Sequence, residues 1–309
     1  MKPYRKQPQS NKQLLRILIS RGLFVKDVNK ALHLLDKIGY FRLSGYFYPQ
    51  LDIPKENHKF KENSYFDSTF KMYCFDRELR LLLLSNIEKI EVSFRSKLTN
   101  TLSLEYDAFW YTHSSLFKNP TINKGGLEAV IKSMNDSRED FVVSFKKNYI
   151  NDYMPSWMVM EIVTFAHLSK TYENLKNTNI KSRIAADFGV PYPVLENWLL
   201  ILTYCRNICA HHSRFWNRNF ALNARKSKKP LPYPWIEQTG IPRNKSYYYI
   251  SIIKYLLDRI NPNNKLKFKL IKLFEKYPNI DYVKSMEFPE NWEEQPLWVT
   301  QSRLSLPPH

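Results

Sequence analysis

One apolar rhythm between Phe66 and Leu102 constrains this chain more than any other feature. Phe70, Tyr73, Leu79, Leu82, Leu83, Ile87, Ile90, Val92, Phe94 and Leu98 recur there, largely at intervals of three and four residues. That spacing predicts one long α-helix, with Asp67 or Ser68 as its cap. Its charged residues, Asp76, Arg77, Glu78, Arg80, Glu88, Lys89, Glu91 and Arg95, include opposite pairs three and four apart, which support a helix surface. The whole chain holds only seven glycines, and few segments alternate with a period of two. The expected class is all-α.

Shorter helices are expected on either side. One covers about 11–20, with Leu14, Leu15, Ile17 and Leu18 on one side. Another covers about 25–38, with Val28, Ala31, Leu32, Leu35 and Ile38 at helical spacing. Gly39 to Pro49 is rich in glycine and tyrosine, and 54–64 reads as an exposed loop or short hairpin. A more polar helix is expected over about 124–148. Pro155 opens the next, to about Leu175, and Pro191 or Pro193 opens a third. Beyond Asn219 come the basic run Arg225–Lys229 and a proline-rich connector to Pro242. Helices over about 245–260 and 265–277 follow, then an extended Pro/Trp-rich segment from Phe288 to Trp298. These segments group as an N-terminal helical part (1–62), a helical core (63–222) and a C-terminal part (223–309).

The 309 residues are 43% hydrophobic and 15% aromatic, enough for a sizeable core and unlike a disordered chain. A formal net charge of +18 and a pI near 9.6 favour a polyanionic partner, nucleic acid first. A lysine-rich proteome would give the same surplus without such a partner. The three cysteines, Cys74, Cys205 and Cys209, do not form a disulfide framework, which points to a reducing cytoplasm. Cys205 and Cys209 with His211 and His212 superficially resemble zinc ligands. No second ligand pair accompanies them, so neither metal nor cofactor is expected. Met1 to Lys12 lacks a signal-peptide pattern, and no apolar run reaches the ~20 residues of a membrane span.

The densest polar chemistry lies at 205–218, Cys-Arg-Asn-Ile-Cys-Ala-His-His-Ser-Arg-Phe-Trp-Asn-Arg. It directly follows the apolar run from Val194 to Tyr204. Desolvating an arginine, an amide and two histidines is unfavourable unless they pair or work. On a continuous helix Asn207, His211 and Arg214 would share a face, while Arg206 lies about 140° from His211, at the edge of that face. One such stripe has few groups for cutting a phosphodiester. Two copies meeting across a two-fold axis would bring two arginines and two histidines into one cleft, so a homodimer is expected.

Those residue types suit RNA. An imidazole can take a proton from a ribose 2′-hydroxyl or give one to the leaving 5′-oxygen. Arginine grips phosphate oxygens and stabilises the charge that develops on attack. Asn207 can orient His211 or bond to the substrate. RNA carries its own nucleophile, so no metal is needed, and DNA should resist. The structural alternative is an Arg–Asn–His network that caps the helix and ties Phe215 and Trp216 to the body.

Several blocks in order resemble the AbiD/AbiF-type abortive-infection family of bacterial phage-defence proteins. They are Ile38-Gly39-Tyr40-Phe41-Arg42-Leu43-Ser44-Gly45-Tyr46, Phe75-Asp76-Arg77-Glu78-Leu79-Arg80, Ile87 to Arg95, Pro155-Ser156-Trp157 and Arg206 to Arg214. The resemblance spans about 25–220 and extends to the Phe288–Trp298 tail. It implies a HEPN-type helical bundle with extra terminal helices, in which an R-x4-6-H motif forms a metal-independent RNase site at a dimer interface. Arg206 and His211 match that arginine and histidine, Asn207 matches the polar residue after the arginine, and His212 matches the longer spacing. Some members are linked with a structured small RNA, so the partner is either an RNA substrate or a bound regulatory RNA. In the second case the protein would hold RNA without cutting it.

His212, Arg214, Arg218, Arg225, Lys226, Lys228 and Lys229 are the candidate RNA contacts. The basic run among them reads equally as a solvated loop. Gly39 to Tyr46 suits a tight bend packed in the core, or tyrosines that stack on bases. Glu88 and Glu91 are expected to pair with Arg95 or other bases. Glu161 either faces the cluster or makes a surface pair.

Overall fold

The computed structural model describes residues 3, 5 and 7–299, and among them it contains thirteen α-helices and no β-strand. The class is all-α. Two compact units divide the chain without following its order. One holds the residues up to 80 together with 271–280, and the other holds 81–270 together with those from 281 onward.

The first unit contains α1 (Asn11–Ser20), α2 (Val28–Ile38), α3 (Tyr40–Phe47) and the opening turns of α4 (Phe66–Glu105). Ser10 starts α1 with a capping box: its hydroxyl accepts from Gln13 N–H at 3.3 Å, and the Gln13 side chain accepts from Ser10 N–H at 2.8 Å. Asp27 caps α2 through Lys30 N–H at 2.9 Å. Gly39, at φ +88, turns α2 directly into α3, and a Cβ there would meet nothing within 4 Å. Its backbone conformation, not crowding, calls for glycine. Leu15, Leu18, Leu35, Leu43, Phe47 and Phe66 meet in the core.

The glycine/tyrosine stretch is therefore a bend followed by a helix, and it packs as it bends. Leu43, Tyr46 and Phe47 are buried, although Phe41 is exposed. The Tyr46 hydroxyl donates to Asp76 at 2.6 Å, and Arg80 pairs with the same carboxylate. All three are buried, so Asp76 holds a charge that only its partners make tolerable. Lys276 and Tyr277 donate to Glu78 at 2.7 and 2.8 Å.

The second unit is built on the rest of α4, whose Leu83, Ile87, Ile90, Phe94, Leu98 and Leu102 form a fully buried ridge. It also contains α5 (Pro120–Asp136), α6 (Asp140–Asn148), α7 (Ser156–Ile162), α8 (Phe165–Asn174), α9 (Thr178–Asp187) and α10 (Tyr192–Ala210). Then come α11 (Ser246–Ile260), α12 (Leu266–Lys276), which ends in the first unit, and α13 (Tyr282–Met286).

Two expected single helices are pairs. The segment 124–148 breaks where Ser137 becomes extended and its hydroxyl accepts from Glu139 N–H at 3.3 Å. The segment 155–175 breaks at Val163 and Thr164. Thr164 caps α8 by accepting from His167 N–H at 3.3 Å. Arg95 holds that break, donating to the Val163 carbonyl at 3.2 Å and to Glu91 at 2.9 Å. Glu91 is thus the expected partner of Arg95, while Glu88 is exposed. Helix α9 has no counterpart in the sequence reading, because only Ile180, Ile184 and Ala185 mark its buried apolar side.

Helix α10 packs against α8, α9 and α11 and buries Leu195, Trp198, Leu199, Ile201, Leu202 and Cys205. Gly189, at φ +67, lets the chain pass from α9 to α10. A Cβ there would lie 2.6 Å from the Tyr233 ring. The proline-rich connector is held by Trp235, 5.1 Å from Trp198 and 5.5 Å from Tyr255 between ring centroids. The tail is less extended than expected. Following α13, it forms a short turn at Trp292–Glu294, and it buries Trp292 edge-on against Trp298 at 5.0 Å.

Candidate functional site

The helix that carries the cluster is capped by Pro191, has Pro193 in its first turn, and stops at Ala210. His211 caps it, with φ −88 and ψ 12, and its N–H reaches the Asn207 carbonyl at 2.9 Å. His212 then adopts the left-handed conformation, at φ 57. Its N–H bonds the Cys209 carbonyl at 3.2 Å, and Ser213 N–H bonds the Ile208 carbonyl at 2.9 Å. This pair of bonds is a Schellman reversal, whose left-handed position usually holds glycine. A histidine there is disfavoured by roughly 1–2 kcal/mol, the kind of strain that clusters at functional sites.

The reversal corrects one expectation. Arg214 follows the end of the helix, so it does not continue a face with Asn207 and His211. Those two still lie one turn apart at the helix end.

The polar groups are not desolvated as expected. Cys205, Ile208 and Cys209 fill the buried side of the last turns. Asn207, His211 and His212 are exposed, and Arg206 is half-buried. Among the described residues no side chain is hydrogen-bonded to Arg206, Asn207 or His211, and backbone bonds close the helix end. Phe215 and Trp216 are buried by packing, and the Trp216 indole donates to Ser285 at 2.7 Å.

The remaining predicted contacts separate into different places. Arg218 bonds within its own chain, to the Arg214 carbonyl at 3.2 Å and the Tyr204 hydroxyl at 3.1 Å, with its guanidinium 5.8 Å from the Tyr204 ring. Arg225 donates to the Pro193 carbonyl at 3.1 Å, and its own N–H meets Asn197 at 2.7 Å. The basic run is therefore anchored near the opposite end of α10 from His211. Lys226, Lys228 and Lys229 are exposed. Glu161 is exposed on α7. Burial raises the Cys205 thiol well above its usual range, with Cys209 adding to the effect. Among the described residues no three His, Cys, Asp or Glu side chains gather around one point.

Sequence reading missed two polar features of this unit. Lys181, its side chain fully buried, is paired with Glu196, and it donates to the Glu173 carbonyl at 3.0 Å. A cavity of about 470 Å³ lies between α5 and α8, lined in part by Asn123, Gly125, Gly126, His167, Lys170 and Thr171. Burial, reinforced by Lys170, lowers the His167 pKa to about 4. The available signal was the Gly125–Gly126 pair inside a helix, where each glycine is unfavourable by about 1 kcal/mol relative to alanine.

Chemically, the end of α10 offers one guanidinium for a phosphate and imidazoles for proton transfer, open to a large ligand. Compared with known protein families, residues 33–217 match the family described as Abi-like protein. Neither the curated proteins nor the solved structures contain a match.

Proposed function

The chain belongs to the Abi-like family of abortive-infection proteins, and from that premise we propose that it defends against phage by cutting RNA without a metal. In this reading Arg206 and His211 are the arginine and histidine of a HEPN-type site, supported by Asn207. The observation that carries it is the exposed end of α10. Asn207 and His211 face solvent beside the half-buried Arg206, none of the three bonded to another described side chain. Groups that are neither buried nor used for folding are available to a ligand.

The site becomes complete in a homodimer. Leu200 is 42% exposed and lies within about 20° of Asn207 around the helix. An uncovered apolar group in line with the polar pair suits a second copy of the same face. Each protomer then supplies one arginine to hold the scissile phosphate and one histidine to move a proton. The 2′-hydroxyl attacks the phosphorus and the 5′-oxygen leaves, so the products are a 2′,3′-cyclic phosphate and a 5′-hydroxyl. No helix of the described residues is long and apolar enough to cross a membrane. The proposed setting is the reducing cytoplasm, where Cys74, Cys205 and Cys209 stay as thiols.

The openness of the cluster in one protomer also suits a second reading, in which the same groups hold a regulatory RNA without cutting it. Incubating total RNA with the purified protein in EDTA separates the two. Cleavage by the 2′-hydroxyl predicts fragments from wild type and none from His211→Ala. Identical patterns from both proteins contradict it, and salt-sensitive binding without turnover supports the holding role.

A further inference from the structure

We propose that the cavity between α5 and α8 binds a phosphorylated nucleoside. The site is separate from the Arg206 cluster, and the proposal does not rest on RNA cleavage. Its volume of about 470 Å³ falls within the 300–1,000 Å³ typical of small-ligand sites. Leu127 and Val130 contribute apolar wall, and no Asp or Glu lines the cavity. Lys170 is exposed and lines it, so the site selects an anionic group attached to a less polar body.

The remaining polar groups suit a base and sugar. Asn123 is buried and its amide is fixed by donation to the Tyr111 carbonyl at 3.1 Å. His167 and Thr171 add hydrogen-bonding side chains. His167 is neutral at pH 7, because burial and Lys170 lower its pKa to about 4. A neutral imidazole offers one donor and one acceptor, the combination that reads a heterocycle edge.

The helix supplies an independent clue. Gly125 and Gly126 both line the cavity. A Cβ at Gly125 would meet no atom within 4 Å, and one at Gly126 would lie at an ordinary 3.5 Å from the His167 ring. Packing therefore does not require glycine at either position, although glycine weakens a helix. What the pair preserves is open space and bare backbone along the cavity wall.

Titration calorimetry with the four nucleoside 5′-monophosphates, the unphosphorylated nucleosides and short RNAs ending in a 3′-phosphate tests the proposal. Both wild type and Arg206→Ala are titrated, which separates this site from the cluster. Saturable binding of at least one phosphorylated ligand is expected, and it is retained in Arg206→Ala. In that variant, tighter binding of the mononucleotide identifies a free nucleotide as the source, and tighter binding of the RNA identifies a chain end. Lys170→Ala should weaken binding about ten-fold or more through loss of a charge-assisted contact. Gly125→Leu should abolish binding while the melting temperature holds or rises. Absence of saturable binding by every phosphorylated ligand overturns the proposal. So does binding that Gly125→Leu and Lys170→Ala leave unchanged.

Discussion

The Arg225 guanidinium donates to the Pro193 carbonyl at 3.1 Å, which fixes the basic connector beside the first turn of the helix that ends at His211. Thirteen residues of helix at 1.5 Å each separate Pro193 from Arg206, about 20 Å. The connector anchored by Arg225 therefore lies toward the other end of the helix from Arg206. An RNA that contacts both must run along the unit. Replacing Lys226, Lys228 and Lys229 together by alanine should then weaken RNA binding and reduce its logarithmic salt slope by about 2. Turnover at saturating RNA should stay unchanged. Filter binding across a salt series, paired with a cleavage assay, checks both halves.

The left-handed His212 gives a backbone prediction. His212→Gly removes the steric penalty of φ 57, whereas His212→Val adds a branched Cβ in a conformation that such residues rarely adopt. The glycine variant should exceed the valine variant in stability by about 1–2 kcal/mol, measured by urea denaturation. If His212 also contacts RNA, both variants lose affinity equally, so stability and binding move independently.

Asp76 tests the buried network of the first unit. Asp76→Ala leaves Arg80 without its carboxylate in a buried position, which should destabilise that unit by about 3–5 kcal/mol. Denaturant titration followed by tryptic sensitivity of residues 7–80 reads the loss.

His167 predicts a pH dependence. Its folded pKa of about 4 lies below the ordinary value of about 6.5. Between those values the unfolded chain binds more protons than the folded one, so stability falls as pH drops through that window. The contribution at pH 5 relative to pH 7 is a loss of about 2 kcal/mol. His167→Gln should abolish that portion of the dependence, visible as a flatter melting temperature between pH 7 and 5.

The long helix and the buried end of α10 were legible in the sequence, because their apolar residues repeat with the helical period over many turns. Leu83, Ile87, Ile90, Phe94 and Leu98 lie on one fully buried ridge, as the spacing requires. Short-range hydrogen-bond competition was not legible in the same way. Thr164 starts α8 and Ser137 follows the end of α5, each with one side-chain contact, and nothing in hydrophobic periodicity signals that. Helix α9 has too few apolar positions to stand out from a polar loop.

At the candidate site the sequence indicated a polar cluster at a helix end but not how the chain turns there. Spacing alone put Asn207 and His211 one turn apart with Arg206 at the edge of their face, and the pairing of Arg206 with His211 came from the family resemblance. The reversal at His212 depends on one residue's φ, and it removed Arg214 from the expected face. Arg218 and Arg225 looked like further basic contacts, yet each bonds to carbonyls of its own chain. Composition counts charges without saying which are already engaged.

The most direct test of metal-independent cutting by Arg206 and His211 is the chemistry of the fragment ends formed in EDTA. Wild-type protein should leave 2′,3′-cyclic phosphates and 5′-hydroxyls. It should spare an RNA carrying a single 2′-deoxy substitution at the scissile nucleotide, and Arg206→Ala should release no fragments. Fragments ending in 3′-hydroxyls, or equal cleavage by Arg206→Ala, would contradict the account.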